Sequence, residues 1–258
     1  SVNLSDMDTL CAHFKIFLPM KMLEHVDVGK SMDRVGYCDK FDCGEALDLI
    51  AASEKEGGIS SLARRIRTLR LTCTNLRGSL DTLMCCTAIE TLHLGSTKAE
   101  GNLNSLRSCT NLKDLDLSWC TGITGSIDAL GMCKGLTHVN LCGLFNYHTG
   151  TFEGGIVGTL DAFATCVHLE HVDVSKCAVR GDLRALADHK ALQVLRCRDC
   201  KQLRGALDCL QGCDALTELI LAGSKVEGGL QVLENKGQLR VLDLERTGVD
   251  GSLDPLAT

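Results

Sequence analysis

The sequence has few aromatic residues and little proline. Among 258 residues there are one Trp, two Tyr, six Phe and two Pro. It has no long apolar run either, since no stretch approaches the ~20 apolar residues of a membrane-spanning helix. An excess of basic charge is also missing. The formal net charge is -6, which argues against a general nucleic-acid binder, because phosphate binding needs a basic field. The opening "SVNLSDMDTL" shows no basic region followed by an apolar run, so it does not read as a secretory signal. Ser1 in place of Met leaves room for a processed leader upstream. No phosphate-binding loop, nucleophile elbow or H-E-x-x-H pattern occurs.

Cysteine, by contrast, is abundant, at sixteen residues. In a short secreted chain that number would suggest a disulfide framework. This chain is long enough to build a core, and its cysteines follow a repeat frame. They read as small buried hydrophobes in a reducing compartment, the cytoplasm first.

The frame is L-x-x-L-x-L-x-x-[T/C/S]-x-[L/I/V]-x-G-x-L-x-x-L. It starts at Ile66, Ile89, Leu112, Leu136, Leu169, Leu192, Leu216 and Leu239, at 23- or 24-residue steps except across the longer unit from Leu136. A glycine recurs in all eight units, at positions 78, 101, 125, 158, 181, 205, 228 and 251. The alternating apolar residues of L-x-L predict a short strand with one buried face. No single unit can bury its apolar residues alone, so neighbours must stack into one core with a parallel sheet. The glycine marks a tight turn or a positive φ. Cys86, Cys109, Cys133, Cys166 and Cys213 each precede a unit's first apolar position by three residues, and Cys120, Cys177 and Cys200 hold the [T/C/S] position. Thr74, Thr97, Ser224 and Thr247 hold it elsewhere and are expected to satisfy backbone groups there.

At this spacing the pattern resembles the leucine-rich repeat family, over residues 66–258. "CTNLKDLDLSWCTGIT", from Cys109, is similar to the cysteine-containing subclass. "ITGSI" and "VRGDL" are similar to the plant-type subclass without its usual proline. The resemblance implies an α/β solenoid, curved, with the parallel sheet on its concave face. It also implies a non-enzymatic scaffold, or accessory subunit of a larger assembly, that binds another protein and takes no cofactor.

The ends depart from the frame. "LEHVDV" occurs at both Leu23 and Leu169, which predicts a degenerate first repeat over 23–65, with an inserted helix within 42–56. Met7, Leu10, Cys11, Phe14, Phe17 and Leu18 share a helical face and predict a helical cap over 1–22. The last repeat stops at "LDPLAT", which leaves Leu253 and Leu256 near an uncovered edge, for further repeats or a partner to cover. "LPMKMLEHV", from Leu18, is faintly similar to an F-box opening, so a substrate-recognition subunit of a ubiquitin ligase is the alternative function.

Candidate chemistry concentrates in three places. Asp114, His138 and His171 form one outward column on three consecutive strands, with Asp116, Asn140 and Asp173 beside it. Two histidines and three carboxylates could hold a metal or shuttle protons, but a polar binding surface explains them more simply. Arg64, Arg65, Arg67, Arg70 and Arg77 form one basic group, and Arg196, Arg198, Lys201 and Arg204 another; either could meet an acidic partner. "CRDC", from Cys197, followed by Cys209 and Cys213, has a zinc-like look, but the frame sends these cysteines to different sides of the coil. Finally, the unit from Leu136 carries extra residues at 142–155, among them Phe145, Tyr147 and Phe152. Trp119 sits at the matching edge one repeat earlier. These aromatics either meet a partner or anchor the insertion to the solenoid rim.

Overall fold

The computed structural model describes residues 2–3, 23–27, 47, 62–72, 76–146, 151–153 and 155–252. The L-x-x-L-x-L segments form three-residue strands that stack into a ten-stranded parallel sheet. The strands follow chain order: Val2–Asn3, His25–Asp27, Thr68–Arg70, Thr91–His93, Asp114–Asp116, His138–Asn140, His171–Asp173, Val194–Arg196, Glu218–Ile220 and Val241–Asp243. Register is kept from frame to frame, with Leu69 beside Leu92, Leu115 beside Val139, and Val172 beside Leu195. The central residue of each strand is turned inward, because side chains alternate along a strand. Leu69, Leu92, Leu115, Val139, Val172, Leu195 and Leu219 are all fully buried.

The glycine half of each repeat forms a second strand, which the sequence frame had shown only as a turn. Segments such as Lys98–Asn102, Gly122–Ser126, Ala178–Asp182 and Gln202–Ala206 build an eight-stranded parallel sheet. Every glycine of the column has φ between 101° and 120°, a range other residues rarely adopt. At Gly205 an added Cβ would also lie 2.9 Å from the backbone nitrogen of Leu183.

Among the described residues the return path uses seven 3-10 turns, such as Leu80–Leu83 and Leu183–Leu186, in place of α-helices. Two leucines three residues apart eclipse in a 3-10 turn, so both reach the core. Ser79, Asn102, Ser126, Thr159 and Asp182 each accept the N–H two residues on, at 2.9–3.2 Å, and so cap five of these turns. Among the described residues, α-helix is confined to Leu62–Arg65 and Leu47. Within the expected helical cap over 1–22, Val2–Asn3 is instead a strand that pairs with His25–Asp27; the rest of that segment and most of the 42–56 helix lie outside the described residues, as do Thr74, Leu253 and Leu256.

The cysteine columns lie in the core. Cys86, Cys109, Cys133, Cys166 and Cys213 are fully buried. The thiols of Cys133 and Cys166 each donate to the carbonyl of the column's preceding cysteine, at 3.3 and 3.5 Å. Two further members complete the column. His189 Nε2 lies 3.0 Å from the Phe163 carbonyl, and Lys236 Nζ donates to the Gln211 carbonyl at 2.8 Å. The position needs a donor toward the preceding repeat, and thiol, imidazole and ammonium each supply one. Burial pushes Cys109 up to about 12 and Cys133 and Cys213 up to about 11, so these thiols stay protonated.

In the turn column, Cys120, Cys177 and Cys200 donate to carbonyls one repeat back, at 3.0–3.2 Å. Thr97 and Thr247 donate within their own turns at 2.7 Å, and Ser224 accepts from the Val226 N–H at 3.4 Å. Cys197, Cys200 and Cys213 are fully buried, and Cys209 packs half-buried against the core. No cluster of three or more His, Cys, Asp or Glu side chains among the described residues is arranged to hold a metal ion.

Candidate partner-binding surface

Three adjacent strands set the polar residues in register. Asp114 lies beside His138 and His138 beside His171; Asp116 lies beside Asn140 and Asn140 beside Asp173. Column position decides what each can do. The residues of the second column hold the turn that ends their own strand. Asp116 Oδ1 accepts from the Ser118 N–H at 3.0 Å and hydroxyl at 2.6 Å. Asn140 accepts from the Cys142 N–H at 3.2 Å, and Asp173 from the Ser175 N–H at 2.9 Å. Asp173 is buried. The first column is freer. His138 is exposed, with Nδ1 3.0 Å from the Thr137 hydroxyl, and its ring centroid lies 6.0 Å from that of His171. His171 Nε2 is buried and has no hydrogen-bond partner among the described residues.

Charges flanking the patch are paired. His93 occupies the Asp116 column one repeat earlier, and its Nε2 lies 2.9 Å from Asp114. Burial works to raise the Asp114 carboxyl, but His93, His138 and Arg70 outweigh it and hold the carboxyl below its ordinary value. Arg196 binds Glu218 through two nitrogens at 2.6 and 2.7 Å and lies 3.7 Å from Asp173. That pairing lowers Glu218 and raises Arg196. Arg198 reaches Asp243 two strands away. Arg67 and Lys113 share Glu90, at 2.7 and 2.6 Å. Arg67 and Arg70 of the first basic group, and Arg196 and Arg198 of the second, are therefore engaged by the sheet's own acids. His171 is held below its ordinary value, first by burial and then by the Arg196 charge. The repeat frame already contained His93 and Glu218, in the same outward columns as Asp116 and Asp114. What it lacked was side-chain reach between neighbouring columns.

The aromatic ridge lies just past the strand ends. Trp119 has φ of 60°, one of five described non-glycine residues with positive φ. That conformation is uncommon for a bulky side chain. Its equivalents are the polar residues Ser96, Lys176, Asp199 and Arg246, and Gly143 and Gly223. The Trp119 N–H donates to the Cys142 carbonyl at 2.8 Å, and the Gly143 N–H to the Ser175 carbonyl at 2.9 Å. The parallel ladder thus runs through Cys142 and Gly143, and the inserted residues leave the coil only after them. They form a hairpin of Leu144–Asn146 and Thr151–Glu153, whose antiparallel register sets Phe145 opposite Phe152. Tyr147 lies outside the described residues. The chain re-enters the second sheet at Gly155, beside Thr124. Trp119, Leu144, Ile156 and the thiols of Cys120, Cys142 and Cys177 surround a small cavity at the hairpin base. Burial raises the Cys142 thiol to about 11, and the Asp173 charge works in the same direction. Trp119 therefore props the insertion and still leaves 41% of its surface exposed.

Two stacked parallel sheets, one strand of each per repeat, with inward leucines and a polar outer face, define the leucine-rich repeat solenoid, and this chain has that fold. No protein-family model and no curated protein matches the chain. Solved structures do. A TDR receptor is similar at 18% identity and a TM-score of 0.62, over 92% of this chain and 37% of that one. The Arabidopsis receptor kinase HAESA, in complex with the peptide hormone IDA and the co-receptor SERK1, is similar at 19% identity and a TM-score of 0.59, over 75% and 31%. An internalin from Listeria monocytogenes is similar at 16% identity and a TM-score of 0.57, over 77% and 53%. The chain thus spans about half of the internalin and about a third of each receptor.

Proposed function

We infer that this protein is a non-enzymatic binding module that docks another protein on the outer face of the ten-stranded sheet and on the adjoining ridge of Trp119 and the hairpin. One observation carries the reading. The only tryptophan of the chain is held in an uncommon backbone conformation at the base of the insertion in the unit from Leu136, and it stays exposed. Strain kept beside exposed aromatic surface fits a binding hot spot. The patch of Asp114, Asp116, His138, Asn140, His171 and Asp173 lies on the strands beside it, with Arg196 next in line. HAESA, of the same fold, is solved with a peptide hormone bound, which supports a protein or peptide ligand here too.

The twelve cysteines described are free thiols, which supports a reducing compartment. The F-box alternative is weaker, because His25–Asp27 serves as a strand of the sheet beside Thr68–Arg70, where that module would need helix. The test is affinity capture from an extract of the source organism, comparing the parent protein with Trp119→Ala and Tyr147→Ala. A partner retained by the parent and lost by Trp119→Ala supports the reading. A partner retained equally by both places binding elsewhere.

A further inference from the structure

The outer face of the ten-stranded sheet neutralises its own charge on both flanks and leaves one window open between them. On one flank, Arg67 and Lys113 are held by Glu90, and Arg70 lies 3.7 Å from Asp27. On the other, Arg196 is held by Glu218 and Arg198 by Asp243. The window spans Asp114–Asp116, His138–Asn140 and His171–Asp173 with the residues just before each strand. It contains four carboxylates, Asp114, Asp116, Glu170 and Asp173, against the single ammonium of Lys113, which is already drawn to Glu90. Asp116 Oδ2 accepts no hydrogen bond, and Glu170 has no ion pair among the described residues. The middle strand, His138–Asn140, contributes no formal charge; at the window's edges His93 lies 2.9 Å from Asp114 and Arg196 lies 3.7 Å from Asp173, which leaves Asp116 and Glu170 without an ion pair among the described residues. Next to this centre stands the buried, unpartnered Nε2 of His171.

We propose that this window receives a lysine- or arginine-bearing segment of the protein partner. The inference rests on the protein-binding reading above and names the chemistry of that partner's contact. A guanidinium or ammonium group laid across the His138 strand would meet carboxylates on both sides, Asp114 and Asp116 from one strand and Glu170 from the other. An acidic segment would meet the same carboxylates as like charges, which opposes docking. Trp119, past the end of the Asp114–Asp116 strand, offers an aromatic face of the kind that attracts guanidinium groups.

The experiment is fluorescence anisotropy of a fluorescein-labelled peptide alternating arginine with Gly-Ser units, titrated with the parent protein at low salt. A glutamate-for-arginine peptide is the control ligand. Asp114→Asn and Glu170→Gln test the window, and Glu227→Gln, an exposed acid on the second sheet, tests for attraction by net charge alone. Circular dichroism confirms that each variant is folded. The expected result is binding of the arginine peptide only, weakened about threefold to tenfold by each window change and unaltered by Glu227→Gln. Equal weakening by all three variants, no effect of the window variants, or equal binding of the acidic peptide overturns the proposal. If the arginine peptide fails to bind while Trp119-dependent capture of a partner persists, the cationic contact is wrong and the binding module stands. If capture fails while the peptide binds the window selectively, the proposal stands and the ridge is not the partner's anchor.

Discussion

Individual residues divide between holding the coil and facing outward. Gly205 belongs to the first group. At φ of 120°, with a Cβ position 2.9 Å from the Leu183 nitrogen, Gly205→Ala should cost on the order of 2 kcal/mol, read as a lower urea midpoint. The glycine column was fully legible in the sequence, because a φ requirement leaves one residue type in every frame. Trp119 belongs to the second group. A left-handed backbone costs roughly 1–2 kcal/mol for a residue with a Cβ. Trp119→Gly removes that cost together with the indole contacts, so the two effects offset. We expect the urea midpoint to move by less than about 1 kcal/mol while partner capture is lost. A large drop in stability would make Trp119 a structural prop alone.

His171 supplies a pH dependence with a defined sign. Its folded value lies below the ordinary 6.5 because burial and Arg196 oppose its charge. The unfolded chain therefore binds the proton more readily, and stability is full above pH 6.5 and declines as pH falls through the folded value. His171→Asn should show a shallower decline than the parent protein in urea midpoints measured at pH 7.5 and 5.5. Parallel declines would assign the pH dependence to other groups.

At the scale of elements, the first sheet was legible and the second was not. L-x-x-L-x-L has the strand period written into it. V-x-G-x-L reads equally as a turn until neighbouring repeats are stacked, because three residues of alternation around a glycine carry little signal. The 3-10 return was hidden for a similar reason, since leucines at i and i+3 also fit a turn of α-helix. The site was legible as columns, since the frame alone placed Asp114, His138 and His171 side by side. It was not legible as chemistry. The frame could not show that Asp116 and Asp173 would cap their own turns, or that Arg196 would turn toward Glu218.

The hairpin is an element added to a coil that is complete without it. The ladder passes from Leu141 to Asp173 and from Gly143 to Ser175 regardless of the hairpin strands Leu144–Asn146 and Thr151–Glu153. Replacing residues 144–154 by a short glycine-serine link should preserve the circular dichroism spectrum and the cooperative melt, and remove partner capture. Loss of folding would show that the insertion holds the fourth repeat together.

Over the whole molecule, one apolar core runs through the described repeats. Leu242 and Leu244 are half-buried, where their counterparts Leu219 and Leu221 are fully buried. The thiol columns report the state of that core. With Cys109, Cys133 and Cys213 protonated and buried, iodoacetamide at pH 8 should label them only after unfolding, with half-buried Cys85 and Cys209 reacting earlier, as read by mass spectrometry. Early labelling of Cys133 would mean that the coil opens locally in mid-solenoid.

The central claim is that a protein partner docks on the ridge of Trp119. Site-specific photocrosslinking addresses it most directly, with a benzophenone amino acid placed at position 119 and, as a control, at Met84, which is exposed on the return side. The account predicts one discrete cross-linked adduct from position 119, absent from position 84 and absent when residues 144–154 are replaced. Adducts of equal yield from both positions, or none from position 119, would contradict it.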